Sequence, residues 1–204
     1  MKLNLACGTK TPDGWINVDY AMGARFSKIP ILRTLNKKLK FFNSVWDKNI
    51  KIVNLAKNFP WENNSVDVVY SSHTLEHFTK KDGLQFLKQC HRVLKSNGII
   101  RVVVPDLKDI IARYTSGELR SDDLIERLGV LYWTNPNQIK NKLAPFVQFP
   151  HKCMYDIETL ITILTDIGFL VESRRLFDSD IEDVEAVEMK RPINKQAIVE
   201  GRKL

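Results

Sequence analysis

Short β-branched apolar runs that alternate with helical patterns predict an α/β fold with a doubly wound, mostly parallel sheet. The chain of 204 residues is long enough for one domain with a sizeable core, so we treat residues 1–204 as a single domain. No apolar run approaches the roughly 20 residues of a membrane span. The N-terminus, MKLNLACG, enters a strand without an apolar signal region, which predicts a cytoplasmic protein.

Seven runs have the length and composition of strands, and helical patterns stand between and after them. The predicted strands are Leu3–Ala6, Trp15–Asp19, Lys51–Leu55, Val66–Ser72, Ile99–Pro105, Leu170–Phe177 and Ala197–Arg202. Thr79 and Asp82 form an N-terminal capping pattern for a helix whose stop is predicted at Gly98. Asp156 is predicted to cap a later helix that ends at Gly168.

Two segments exceed this minimal pattern and are predicted to be insertions. Residues 21–50, with Lys51, hold eight cations and one acid, so this segment alone accounts for the net charge of +7. Residues 106–150 follow the fifth strand, with helices predicted at Leu107–Tyr114 and Asp122–Tyr132. Because segments after the carboxyl ends of strands build the ligand crevice, residues 106–150 are predicted to form a substrate lid. An acid-rich run, residues 178–188, is predicted to be a solvated loop.

The opening stretch, LNLACGTKTPDGWINVDY, has the chemistry of a nucleoside site. A dinucleotide pyrophosphate requires several glycines and a helix N-terminus directly behind the first strand. Here the turn has a single glycine, Gly8, and a second turn follows it where a helix would begin. Asp19, at the end of the second strand, suits the hydroxyls of a ribose. The turn therefore predicts an adenosine ligand without a pyrophosphate, and little affinity for NAD.

These residues also carry a resemblance to a known family. LNLACGTKTPDGWINVD resembles the first motif of class I S-adenosylmethionine-dependent methyltransferases, in a branch with the pattern L-x-L-G-C-G…G-W-x-N-x-D. FPWENNSVDVVYSSHTLEHF resembles the fourth-strand region, CHRVLKSNGIIRVVVPDL the fifth, and HKCMYDIETLITILTDIGF the late helix and strand. The resemblance covers most of the chain outside the two insertions. It implies a Rossmann-like sheet with a closing antiparallel strand and S-adenosylmethionine as cofactor, and it points to the polysaccharide-pathway type.

The resemblance also implies which residues bind the cofactor. Leu5, Ala6, Cys7 and Gly8 would wrap its methionine part and ribose, and Asp19 would hold the ribose hydroxyls. The remaining predicted contacts are Asn54 and Leu55 at the adenine, and Ser71, Ser72 and His73 beside the methionine and the transferring methyl group.

This sequence departs from the family pattern at two positions of the first motif. Asn4 stands where an acid is common, and Ala6 replaces a usual glycine. If the φ angle of Ala6 is negative, the alanine costs little. The crossover helix after the first strand is also missing or reduced.

Histidines supply the candidate bases. His73 follows the fourth strand, and His151 lies where the second insertion rejoins the core; both are predicted as candidate catalytic residues. The segment HTLEH places His73 and His77 four residues apart, but it lacks the H-E-x-x-H order of zinc proteases, so no metal site is predicted. Cys7 is interpreted as a packing residue, and His91 is predicted to pack on a helix face.

The predicted acceptor is a small molecule or a glycan, methylated at oxygen. The loop after the fourth strand reads SSHT and lacks the Asn/Asp-Pro-Pro-aromatic motif of enzymes that methylate nucleic-acid amino groups. A nucleic-acid (RNA) methyltransferase that uses the basic segment, and a non-catalytic module that binds S-adenosylmethionine, remain as alternatives. Residues 25–42 mix cations with apolar side chains, which suits a lid or peripheral contact with an anionic membrane.

Overall fold

The computed structural model describes residues 1–31, 34, 46–132, 148–190 and 195–204. Seven strands form a single sheet in the order β3-β2-β1-β4-β5-β7-β6, which confirms the predicted fold class. The strands are β1 (Lys2–Leu5), β2 (Ile16–Asp19), β3 (Lys51–Ile52), β4 (Val66–Ser72), β5 (Leu94–Pro105), β6 (Phe169–Ser173) and β7 (Gln196–Lys203). The third and sixth strands are shorter than the sequence predicts.

The helices described are α1 (Met22–Ser27), α2 (Lys80–Val93), α3 (Leu107–Thr115), α4 (Ser121–Leu128), α5 (Ile157–Ile167) and α6 (Val184–Val187). A single 3₁₀ turn, Leu75–His77, follows β4. No helix lies between β1 and β2, as the two turns of the opening stretch predict. Among these described helices, none is long and apolar enough to cross a membrane.

The sheet is parallel from β3 through β5, and β7 runs antiparallel to both of its neighbours. Leu5 of β1 lies beside Val18 of β2 on one side and Ser71 of β4 on the other. The carboxyl ends of these strands therefore meet at one edge. Because β7 is reversed, its first residue, Gln196, lies beside Pro105 at that same edge.

Helix caps account for the ends of α2 and α5, with one correction. The side chain of Thr79 accepts a hydrogen bond from the backbone N–H of Asp82, and that of Asp156 from Thr159, as predicted. Gly168 ends α5 in the left-handed conformation. The predicted stop of α2 at Gly98 is wrong. The helix ends at Val93, and the chain passes at once into β5, which buries Leu94.

The acid-rich run is not the solvated loop that the sequence predicts. Ile181, Val184 and Val187 are buried in a second core cluster against the sheet. Glu188 is also buried, where it pairs with Arg101 of β5. The three apolar residues recur at every third position of the acidic run. This spacing indicates that one side of the segment packs against the sheet while acids on its other side stay in water.

The two predicted insertions are described only in part. The first contributes α1, which packs through Ala24 near Cys7 and Ile50. Most of residues 25–42 lie outside the described residues, so the membrane contact predicted for them stays a prediction. The second insertion contributes α3 and α4, and α4 ends at Leu128 instead of Tyr132 because Gly129 adopts a left-handed conformation with φ 68°. Its Pro/Asn-rich part, 133–147, lies outside the described residues.

Candidate functional site

The turn after β1 is held against the end of β2. The N–H of Cys7 donates to the carbonyl of Val18 at 2.9 Å, and the N–H of Gly8 donates to the Asp19 carboxylate at 2.8 Å. Gly8 has a φ of 59°, and an added Cβ there would meet no atom within 4 Å. The turn therefore leaves open space on the side where a ligand would approach the backbone.

Ala6 departs from the expectation of a negative φ. Its φ is 53°, in the left-handed region where a side chain costs roughly 1–2 kcal/mol. The family glycine at this position has the conformational freedom that the alanine lacks. Because alanine adopts this conformation less readily than glycine, Ala6 is a source of strain in the binding loop.

We expect Ala6→Gly to raise the free energy of unfolding by up to about 1 kcal/mol, since relief of the left-handed alanine outweighs the added flexibility of the unfolded chain. Urea denaturation would measure this change. The matched control is Ala112→Gly in the middle of α3, where the same substitution should destabilise the protein. A destabilising effect at both positions would contradict the strain assigned to Ala6.

Asp19 is buried and bonded mainly to backbone. One carboxylate oxygen accepts from Gly8, and the other accepts from Tyr20 at 2.7 Å and from Ala21 at 2.8 Å. A carboxylate offers about four acceptor positions, so three backbone donors leave one for a ligand hydroxyl. Asp19 thus joins the turn after β1 to the start of α1 and keeps the capacity for one further hydrogen bond.

The other residues predicted to bind the cofactor have different surroundings. Leu55 is buried in the main core, which leaves its backbone as the part available to a ligand. The side chain of Asn54 accepts from the N–H of Ala56 at 3.0 Å. Ser72 is half-buried, and its carbonyl accepts from Thr74. Ser71 is buried, and its hydroxyl has no hydrogen-bond partner among the described residues.

The edge where β1, β2 and β4 end offers polar groups and open space that fit an adenosyl ligand. Ser71 presents an unpartnered hydroxyl, Asp19 retains one acceptor position, and Gly8 leaves the approach open. These groups lie where β1, β2 and β4 end together. Cys7 takes no part as a nucleophile, because burial raises the pKa of its thiol to about 12 and keeps it protonated at neutral pH.

His73 occupies a strained position directly after β4. Its φ is 51°, and its N–H donates to the carbonyl of Val103 at 2.8 Å. On the ring, Nε2 lies 3.0 Å from the amide nitrogen of Gln196, and Nδ1 lies 3.2 Å from Oε1 of Glu76. An amide nitrogen only donates, so Nε2 of His73 accepts and the ring proton is on Nδ1, facing the Glu76 carboxylate.

Glu76 is fully buried and is surrounded by histidines. His151 Nε2 lies 3.9 Å from Glu76 Oε1, and the His77 and His151 rings are 5.0 Å apart. The backbone carbonyl of Glu76 accepts from the N–H groups of Lys152 and Cys153, which fastens the strand-like segment after residue 148 to the 3₁₀ turn. The structure therefore brings together the two candidate bases, His73 and His151, which are 78 positions apart in the sequence.

His151 is oriented by the end of α4. Its N–H donates to the carbonyl of Gly129, and its Nδ1 lies 2.7 Å from the carbonyl of Leu128. A Cβ added at Gly129 would lie 2.7 Å from the imidazole, so only glycine leaves room for the ring. The second insertion thus positions one of the candidate catalytic histidines.

Two residues of this cluster were missed or undervalued from sequence. Gln196 gives no local signal, because its role comes from the reversal of β7, which brings its side chain to His73. Glu76 lies close to both histidines of the segment HTLEH, and that position is the local signal that marks it. His91, in contrast, packs as predicted, with its ring 4.9 Å from that of Phe169.

Comparison with known proteins agrees with this geometry. Residues 3–102 match the family model described as a methyltransferase domain. No curated protein sequence matches the chain.

Several solved structures share the fold across nearly the whole chain. An S-adenosylmethionine-dependent methyltransferase from Methanosarcina mazei has a TM-score of 0.52 and 16% identity, covering 99% of this chain and 91% of its own. A methyltransferase from Haloferax volcanii, solved with the Trm112 methyltransferase activator, has a TM-score of 0.51 and 13% identity, covering 98% and 80%. An S-adenosylmethionine-dependent methyltransferase from Mesorhizobium loti has a TM-score of 0.50 and 13% identity, covering 98% and 89%. At these identities the likeness establishes a common fold.

Proposed function

We propose that this chain, whose residues 3–102 match a methyltransferase domain, uses S-adenosylmethionine and transfers the methyl group to a hydroxyl oxygen of a small molecule or glycan. The observation that carries this proposal is the pair formed by His73 and Glu76 at the carboxyl end of β4, with 3.2 Å between Nδ1 and Oε1. Methyl transfer to a hydroxyl needs a base close to the acceptor, and an imidazole oriented by a carboxylate is suited to that role.

In this proposal the cofactor lies along the edge where β1, β2 and β4 end. Leu5, Ala6, Cys7 and Gly8 wrap its methionine part and ribose. Asp19 holds a ribose hydroxyl, Asn54 and the backbone of Leu55 contact the adenine, and Ser71 and Ser72 lie beside the methionine. When bound, the cofactor supplies a methyl group on a sulfonium, which is its own leaving group.

His73 is the base in this arrangement. The Gln196 amide donates to Nε2, so Nε2 carries the lone pair and the ring proton is on Nδ1, beside Glu76. The acceptor hydroxyl would replace the Gln196 amide at Nε2 and would give its proton to that nitrogen, which would free the acceptor oxygen to displace the neutral thioether from the methyl group. The spacing of His73 Nδ1 and Glu76 Oε1 is typical of a catalytic pair that aligns only when substrate is bound. His151, on the other side of Glu76, is the alternative base.

The test is to supply S-adenosylmethionine labelled in its methyl group together with hydroxyl-bearing acceptors, chiefly monosaccharides, nucleotide sugars and phenols, and with RNA and DNA. We expect label in a methyl ether of a small molecule or glycan. Product analysis by mass spectrometry and NMR would identify the methylated atom. Label found only in RNA or DNA would replace this proposal with the nucleic-acid alternative. Cofactor binding without transfer to any acceptor would favour the non-catalytic alternative.

A second prediction concerns the cofactor site. We expect Asp19→Ala to weaken binding of S-adenosylmethionine and S-adenosylhomocysteine by about 10- to 150-fold, because one charge-assisted hydrogen bond of 1.5–3 kcal/mol is lost. Calorimetric titration would measure both affinities. Thermal unfolding of the same variant would show how much stability is lost with the three backbone hydrogen bonds to the carboxylate. This separates the effect on folding from the effect on ligand affinity.

The control for this prediction is Asp13→Ala, which removes an exposed acid from the neighbouring turn. We expect it to leave both affinities unchanged. If the folded Asp19→Ala protein bound both ligands as tightly as the unchanged protein, Asp19 would be a structural residue of the turn.

A further inference from the structure

The carboxylate of Glu76 is a buried charge that the surrounding protein does not satisfy. Its side chain is fully buried, and neither oxygen has an aligned hydrogen bond from any of the residues that the structure describes. The nearest cationic candidate, His73 Nδ1, is close to Oε1 at 3.2 Å but lacks hydrogen-bond alignment. An unpaired buried carboxylate is costly, so such groups in proteins are normally paired or bound to a metal ion.

Two histidines bring a ring nitrogen toward this carboxylate. His151 Nδ1 lies 2.7 Å from the carbonyl of Leu128, which can only accept, so Nδ1 carries a proton and Nε2 is the ring atom left for a ligand. The Nδ1 atom of His77 is buried and has no hydrogen-bond partner among the described residues.

The three side chains converge on one point. Their ligand atoms all lie within 4.8 Å of one another. The arrangement gathers two imidazole nitrogens and a carboxylate, which are donor types that bind transition-metal ions. The contact of His151 Nδ1 with a backbone carbonyl is also the usual support of a metal-binding imidazole, since it sets the ring orientation.

We propose that Glu76, His77 and His151 bind a divalent transition-metal ion of the zinc type. Two imidazoles and one carboxylate form the ligand set of several zinc and iron sites, whereas Mg²⁺ and Ca²⁺ prefer oxygen ligands. Zinc lies about 2.0–2.2 Å from such ligands, so the three atoms would draw together by roughly 1 Å through side-chain rotation. Three protein ligands leave coordination positions open for water or an acceptor oxygen.

This site revises the expectation that the segment HTLEH binds no metal. That expectation considered His73 and His77 as the pair of ligands. The structure instead pairs His77 with His151, which the second insertion brings back to the 3₁₀ turn. The proposal that a metal ion binds here depends only on the three side chains. A role for the ion beside the acceptor rests on the proposed function.

The test is a titration of the tag-free, chelator-treated full chain with Co²⁺, read by visible absorption, and with Zn²⁺ and Mg²⁺, read by calorimetry. We expect one Co²⁺ or Zn²⁺ per chain and no comparable binding of Mg²⁺. Glu76→Gln and His77→Gln should each weaken Co²⁺ binding by about 100-fold or more, since each removes a ligand. The matched control is His91→Gln, which removes an imidazole far from the cluster and should leave the affinity unchanged.

Thermal unfolding gives a second readout, because Glu76→Gln should change the unfolding temperature in opposite directions without and with metal. Without metal, Glu76→Gln should unfold at a higher temperature than the unchanged protein, because it removes an unpaired buried charge. With saturating Zn²⁺ the order should reverse, because only the unchanged protein gains the binding energy. Absence of Co²⁺ and Zn²⁺ binding would overturn the proposal, as would equal binding by Glu76→Gln. Methyl transfer that persists in chelator would leave the proposed function intact and exclude a catalytic role for the ion.

Discussion

Replacing His73 with glutamine is expected to slow methyl transfer by about 100- to 10,000-fold, the usual contribution of a general base. Glutamine retains a polar group of similar length but cannot take up the acceptor's proton. Because His73 is not one of the three proposed metal ligands, His73→Gln should still bind Co²⁺. Steady-state kinetics with the identified acceptor would measure the effect. We expect kcat to fall while the KM for the cofactor stays nearly unchanged.

The control for this prediction is His91→Gln, which should retain the full rate. If His73→Gln kept the rate and only His151→Gln lost it, His73 would not be the base, and Co²⁺ binding by His151→Gln would show whether the loss comes from a missing base or from a missing metal ligand.

Replacing Arg101 with leucine is expected to lower the free energy of unfolding by about 3–5 kcal/mol, as when one partner of a buried ion pair is removed. Arg101 is fully buried on β5, and all five of its N–H groups are used. They donate to the carboxylates of Glu188 and Glu200 and to the carbonyls of Arg175 and Asp178. Leucine would leave the carboxylate of Glu188 buried without its cation, and Glu200 would keep a single cation among the described residues, Arg174, whose Nη2 lies 3.8 Å from its carboxylate.

Urea denaturation would measure this loss of stability, and two further variants make it specific. Arg120→Leu removes an arginine whose ion pair with Asp122 is exposed to solvent, and we expect little change. In Arg101→Leu, changing Glu188 and Glu200 to glutamine should recover part of the lost stability, because the uncompensated charges are removed. A single substitution Arg101→Leu with unaltered stability would show that the network contributes nothing.

The resemblance of the motifs to a known family and the local patterns together predicted the fold and the cofactor. Apolar runs with β-branched residues marked the strands, and capping residues such as Thr79 and Asp156 marked where helices begin. The turn around Gly8 and the acid at Asp19 pointed to an adenosyl ligand. These features depend on neighbours within a few residues, and the local chain carries enough information to determine them.

Contacts between distant parts of the chain were decided only by the tertiary structure. His73 meets Gln196 because β7 runs antiparallel, and Glu76 meets His151 because the second insertion returns to the 3₁₀ turn. The same holds for Arg101, which pairs with Glu188 of the acid-rich run that sequence composition placed in solvent, and with Glu200 of β7. The sequence determined the sheet, the helix caps and the nucleoside turn, since short-range backbone preference and apolar periodicity suffice for them. Which polar side chains contact each other in the interior was decided only by the tertiary structure. A charged side chain can be buried only where folding brings its partners to it.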